Sequence, residues 1–296
     1  MNIIDDLKLQ YHTGGIAQKL IFWNVGLFVI PAILFGLLSL FGVNIDYLYY
    51  VSLDSLPSSL AWKPWSIVTY AVFHSGIFHL FFNMIVLHFS TRLFITYFNQ
   101  KQLLGLYILG GIFAGLVYIL SYLVLPVFQN TSSTLVGASG SIMAILFATV
   151  TYNPYMEIRM MFIGRLKLWH IAVFVIVLDL IQLPTSNTGG HLAHLGGALF
   201  GYIFMTLLKQ GTDLTNGVTK VIDFFVNKAH GKKNNKPFKK VHRNYNTAPA
   251  SAPVESRIIK KDKTQQQIDE ILDKISASGY DSLSKEEKDF LFRIGK

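Results

Sequence analysis

The chain has 296 residues, of which 51% are hydrophobic and 15% charged, and its mean hydropathy is +0.40. Those values exclude an ordinary water-soluble domain and indicate a membrane protein with several spans. Cysteine is absent, which excludes a disulfide framework and a thiolate metal site, and the net charge of +9 points to nucleic acid only if the placement of the basic residues does not explain it.

Residues 1–19 form a short polar lead. Apolar stretches able to cross a bilayer, which takes roughly 20 residues as helix, follow at 20–41, 75–97, 102–125, 137–152, 166–183 and 189–208. The predicted fold is therefore all-α: a polytopic membrane protein with a six-helix bundle over residues 20–208. The first stretch contains Pro31, which a membrane helix tolerates, and lacks the cleavage site of a secretory signal, so it is expected to be retained.

Lys8 and Lys19 precede span one, Arg92 and Lys101 lie between spans two and three, and Arg159, Arg165 and Lys167 lie between four and five. A basic run follows span six, and the alternate loops carry only Lys63. By the positive-inside rule both termini are cytoplasmic in a cell membrane, and spans two, four and six run from outside to inside. The charge is then that of inner loops facing membrane lipids, and no nucleic-acid partner is implied.

Residues 209–263 read as a basic cytoplasmic linker, because from about residue 228 large apolar side chains become too sparse to bury a core. Its cluster from Lys232 to Arg243 either lies against anionic headgroups, at about 1 kcal/mol per basic residue, or is a solvated run. Residues 264–296 read as a small helical hairpin. Ile268, Ile271, Leu272 and Ile275 share one helix face, Thr264 and Gln267 are placed as a capping box, and Gly279 separates this helix from a second one capped by Ser284 and Glu287. The hairpin is either a solubilising appendage or a dock for a partner or for the membrane domain, and carries no catalytic motif.

The polar residues inside the spans carry the functional signal. Ser139, in Gly137-Ala138-Ser139-Gly140, opens span four; His191 and His194 lie near the start of span six; His79 and Asn83 lie near the start of span two. All three spans begin at the outer face, so these groups share one depth. Span four is short for a hydrocarbon core of roughly 30 Å at about 1.5 Å per residue, so it should begin below the outer surface. The polar stretch 130–134 then leads down to it, through non-helical backbone that is tolerated at depth only beside protein or water. A wet cavity open to the outside is expected. Gly140, Ala144 and Ala148 line one face of span four, and Gly197 and Gly201 follow His194 on span six; such small faces permit close backbone approach, which would carry Ser139 and His194 to hydrogen-bond distance. Gly111 and Gly115 show the same pattern with no chemistry attached.

A serine hydroxyl is a weak nucleophile and needs a base, for which His194 is the candidate. The start of span four offers free N–H groups near Ser139, and His79 and Asn83 offer side-chain donors for a developing oxyanion. Gly137 and Gly140 let the chain turn and keep the approach open. Asp179 on span five can orient a histidine, but a Ser-His dyad is the favoured arrangement. Taken singly, a serine at a helix start is most often an N-cap, and a membrane histidine often bonds a neighbouring helix. Their convergence at one depth favours function.

The same residues resemble the signature of the rhomboid serine proteases. Pro64-Trp65, Thr69, Phe73-His74, His79 and Asn83 resemble the family's first outer loop and second helix; Gly137-Ala138-Ser139-Gly140 resembles its nucleophile motif; Ala193-His194 with Gly197 and Gly201 resembles its base motif. The resemblance implies an intramembrane serine endopeptidase that needs no metal or cofactor. Ser139 would be the nucleophile, His194 the base, and His79, Asn83 and the Ser139 N–H the oxyanion hole. Substrates would be transmembrane proteins entering from lipid, between spans two and five. Two features depart from the family: Thr91, Arg92 and Ile95 stand where a Gly-Arg…Glu pattern is common, and Met143 stands where an aromatic ring usually stacks on the histidine. Two competing readings are a non-catalytic rhomboid-like protein that binds client helices, and a metal site or transporter built on His74, His79, His88, His191 and His194, for which the spacing is weak.

Overall fold

The computed structural model describes residues 2–160, 164–229 and 263–294. The chain divides into two units, residues 1–233 and 234–296. In the first, α1 (Ile3–Thr13) and α2 (Ile16–Ser39) lead to a connection of short elements: α3 (Tyr47–Val51), β1 (Leu53–Asp54), α4 (Pro57–Trp62) and α5 (Ser66–Thr69). Then come α6 (Ile77–Phe94), α7 (Gln100–Val124), β2 (Thr134–Leu135), α8 (Ser139–Tyr152), the antiparallel pair β3 (Glu157–Met160) and β4 (Gly164–Lys167), α9 (Leu168–Gln182), α10 (Thr188–Lys209) and α11 (Thr215–Ala229).

The six expected spans correspond to α2, α6, α7, α8, α9 and α10. Four of them, α2, α6, α7 and α10, are long and apolar enough to cross a bilayer, whereas α8 and α9 are apolar helices of 14 and 15 residues. The short α8 is the centre of the bundle: its Ile142, Ala144, Ile145 and Ala148 are buried against α7 and α10. By contrast α2 buries only Leu20 and Asn24 and leaves Ile30, Ile33, Leu34 and Leu37 exposed, as expected of a helix surrounded by lipid. Asn24 is satisfied inside the bundle, donating to the Leu20 carbonyl at 2.7 Å beside Tyr107, whose hydroxyl donates to the Ala71 carbonyl at 2.6 Å.

The connection between α2 and α6 is tied down from within. Lys63 is 1% exposed, pairs with Asp54 at 2.7 Å and donates to the Tyr49 carbonyl at 2.6 Å. The lone basic residue of the alternate loops is thus neutralised and buried. Leu53 and Asp54 pair with Leu135 and Thr134, and Ser55 bonds Ser133, so the same connection anchors the strand that leads into α8.

Three elements differ from the sequence reading. The polar lead contains α1, with Asn2 as its N-cap and Asp5 and Asp6 in the first turn, a local signal that the polar composition concealed. β4, paired with β3, takes up residues 166 and 167, which were expected to open span five. Residues 215–229, read as linker, form α11, which packs on α7 and carries Asp223 to Lys101 at 2.8 Å. The basic cluster from Lys232 to Arg243 lies outside the described residues.

The second unit contains α12 (Lys263–Ser278) and α13 (Lys285–Ile294), the expected hairpin. α12 starts at Lys263, so Thr264 lies within its first turn. The Ser284 box is present: the Ser284 N–H donates to Glu287 at 2.7 Å and the Glu287 N–H to the Ser284 hydroxyl at 3.3 Å. The Ser284 N–H, with the Lys274 ammonium beside it, holds the Glu287 carboxyl below the usual glutamate range.

Candidate active site

Ser139 is the first residue of α8, whose N-cap is Ala138 with no side-chain capping bond. The serine hydroxyl therefore does not cap the helix, which removes the commonest structural reason for a serine there. Gly137 precedes it with φ +134°, in the region that favours glycine, and donates its N–H to the Tyr70 carbonyl at 2.8 Å. A Cβ at Gly137 would lie 2.7 Å from the His79 ring, so the residue must be glycine for two independent reasons.

His79 and Asn83 share a face of α6 one turn apart. The His79 Nδ1 is 3.1 Å from the Ser75 hydroxyl and the His74 ring packs edge-on at 5.2 Å. With Ser75 donating, Nε2 carries the hydrogen and can donate into the cavity. The Asn83 amide donates one hydrogen to the His79 carbonyl at 2.8 Å, leaving its second for a ligand.

On α10, His191 and His194 are one turn apart, and both face Asp179 near the end of α9. The Asp179 Oδ1 accepts from His191 Nδ1 at 2.7 Å and from His194 Nδ1 at 2.9 Å. Asp179 is 4% exposed, and its Oδ2 has no protein partner. With Nδ1 engaged, His194 has Nε2 left for the cavity. The three ligand atoms lie within 4.8 Å of one another and could also hold a cation, in competition with the protons that now bridge them.

Ser139, His194, His79 and Asn83 line one cavity of about 670 Å³, together with Ser75 and Gly190. Their convergence follows from the seam between α8 and α10. A Cβ at Gly197 would collide with the Gly140 carbonyl, and one at Gly201 with the Ala144 carbonyl, so the two backbones are in contact along the predicted small-residue faces. Met143 is buried one turn below Ser139. No ring stacks on His194 from that position; its ring is hydrogen-bonded from Nδ1 to Asp179 at 2.9 Å.

The sequence reading expected Ser139 and His194 at hydrogen-bond distance; the structure sets them around one cavity with no hydrogen bond between them, and Ser75 and Tyr70, whose types are too common to stand out, were missed. That reading also ranked Asp179 below a two-residue arrangement. The available signal was a lone carboxylate in an apolar span, about one turn from the same membrane face as His194.

The profile of the Rhomboid domain matches residues 61–211, just over half of the chain. A second profile, of a family of unknown function (DUF6576), matches residues 259–294. Among curated proteins, the chain is 33% identical over 145 residues to the "Presenilin-associated rhomboid-like protein, mitochondrial" of Rattus norvegicus, covering 45% of this chain and 35% of that one. It is 31% identical over 134 residues to the "Presenilin-associated rhomboid-like protein A, mitochondrial" of Danio rerio, covering 43% and 33%. To the "RHOMBOID-like protein 12, mitochondrial" of Arabidopsis thaliana it is 25% identical over 175 residues, covering 55% and 51%. The match thus spans about a third of the length of the first two relatives and half of the third.

Proposed function

Because the chain belongs to the rhomboid family, we propose that it is an intramembrane serine endopeptidase that hydrolyses peptide bonds in or near transmembrane helices. The observation that carries this reading is the cavity of about 670 Å³ that joins Ser139, His194, His79 and Asn83 from three helices.

In this mechanism the Ser139 Oγ attacks the scissile carbonyl carbon while His194 Nε2 takes the hydroxyl proton. The carbonyl oxygen becomes an oxyanion that accepts hydrogen bonds from the Ser139 N–H, the free Asn83 amide hydrogen and His79 Nε2. Collapse breaks the C–N bond as His194 passes its proton to the leaving amine, giving an acyl-serine. Water from the cavity, deprotonated by His194, then releases the acid and restores the serine. The start of α8 favours the oxyanion through its unpaired N–H groups and helix dipole.

The substrates on this reading are transmembrane proteins arriving from the surrounding lipid. Purified protein in liposomes should cut a reporter with a single transmembrane segment, and continue to do so in excess chelator. Cleavage lost with chelator and restored by a divalent cation would assign the chemistry to a metal instead. Full binding of the reporter with no cleavage in any membrane tested would favour a client-binding protein.

The membrane is proposed to be the cell membrane, with the termini cytoplasmic and the cavity opening to the other side. Arg92, Lys101, Arg165 and Lys167 support this orientation. Since the chain has no cysteine, single replacements report cleanly. Ser132→Cys is expected to react with an impermeant maleimide applied to intact cells and Thr212→Cys only after lysis; the reverse pattern contradicts the orientation.

A further inference from the structure

A buried carboxylate on α9 is shared by two histidines of α10, one of which is the proposed base. Resting on the reading of Ser139 and His194 as nucleophile and base, we propose that Asp179 is a positioning residue: its Oδ1, held between His191 and His194, keeps the His194 ring with its hydrogen on Nδ1 and Nε2 free to take the serine proton.

The topology makes this arrangement. α9 and α10 are joined by residues 183–187 and pack on each other, so a residue three from the end of α9 meets the first turns of α10. His191 and His194 stand three apart on the face turned toward α9, and their rings are perpendicular with centroids 5.7 Å apart. Both Nδ1 atoms therefore reach one oxygen, at 2.7 and 2.9 Å. A carboxylate that is 4% exposed in an apolar helix is costly unless donors surround it, and these two rings are its hydrogen-bond donors among the described residues.

The shared oxygen dictates the tautomer. An ionised carboxylate only accepts, so each ring must present Nδ1–H to it, and the neutral His194 ring then has an unprotonated Nε2. His191, by occupying the same oxygen from the other side, fixes the carboxylate where His194 needs it. With both rings neutral, as the proposal requires, the cluster of one carboxylate and two imidazoles carries a single negative charge. When His194 takes the serine proton the cluster becomes neutral overall, with imidazolium at 2.9 Å from a carboxylate that is itself buried. Proton transfer thus forms an ion pair, and an ion pair is worth more in that surrounding than in solvent.

A bond between two helices for packing alone would use the same atoms, so the test must separate orientation from stability. Asp179→Asn preserves shape, but its amide can donate to Nδ1 and force the hydrogen onto Nε2. In full-length protein in liposomes the expected result is a fall in kcat of about 10²-fold or more, toward the roughly 10⁴-fold loss known when an orienting carboxylate is made an amide. KM is expected within threefold and Tm within a few degrees of wild type. An Asp179→Asn variant with kcat within threefold of wild type, or with losses that track Tm, overturns the proposal and leaves Asp179 as a helix contact. Should that variant fail to fold, ¹⁵N NMR of histidine-labelled wild type decides: Nδ1–H with unprotonated Nε2 at His194 supports it, and the opposite tautomer refutes it. A wild type that shows the Nδ1–H form but never cleaves would sink the protease reading while leaving the clamp intact.

Discussion

Ser139→Ala and His194→Ala are each expected to lower the cleavage rate by about 10³-fold or more, because a nucleophile and its base act as one unit and neither works without the other. Both side chains border a cavity, not a dry core. Each alanine variant should therefore unfold within a few degrees of the parent. The double variant is expected to be no slower than either single one, since the second loss removes nothing further. Cleavage of a reporter in liposomes with Tm measured on the same preparations checks both halves. An Ser139→Ala protein that folds and still cleaves removes the serine from the chemistry.

Gly197→Val is expected to be nearly as severe, for a different reason. The missing side chain at Gly197 is the room in which the Gly140 carbonyl sits, with the Gly140 Cα 3.2 Å from where a Cβ would be built. Those are backbone atoms at the start of α8 and cannot rotate aside, so α8 and α10 must separate. Overpacking of this kind costs about 1–3 kcal/mol. Separation also moves His194, one turn above, away from Ser139, and a misplacement of about 1 Å is enough for a 10²-fold loss of rate. Gly36→Ala is the control: nothing lies within 4 Å of a Cβ there, so activity and Tm should stay near wild type. Equal effects at positions 36 and 197 would show that the seam does not set the geometry.

The spans were legible because their chemistry is written in long uninterrupted stretches. The boundaries of α2, α6, α7, α8, α9 and α10 fall within a few residues of the apolar runs, and the shortness of α8 was visible in advance. The seam was legible as well, since Gly140, Ala144, Gly197 and Gly201 recur at helical spacing and small residues are what close helix contact requires. The elements between spans were not. β1 and β2 have two residues each and exist only because Leu53 and Leu135 are brought together by the helices around them. Lys63 stood out only as the lone basic residue of the alternate loops, and its burial depends on Asp54 and the Tyr49 carbonyl closing over it. α11 was hidden in a segment whose overall composition is polar, although Val221, Phe224 and Phe225 lie along it.

Within the site, depth was predictable and pairing was not. Counting residues from the membrane face puts Ser139, His194, His79 and Asn83 at one level, and that needs only topology. That Asp179 joins them depends on the relative rotation of α9 and α10, which apolar periodicity cannot set, because both helices are hydrophobic nearly all round. The same holds for Ser75 against His79.

The most direct test of a shared serine–histidine site is covalent: the purified full-length protein is treated with a fluorophosphonate and the modified residue is mapped by mass spectrometry. A single adduct on Ser139, absent in Ser139→Ala and strongly slowed in His194→Ala, is the predicted result. An unmodified Ser139 in protein that is demonstrably cleaving substrate would contradict it.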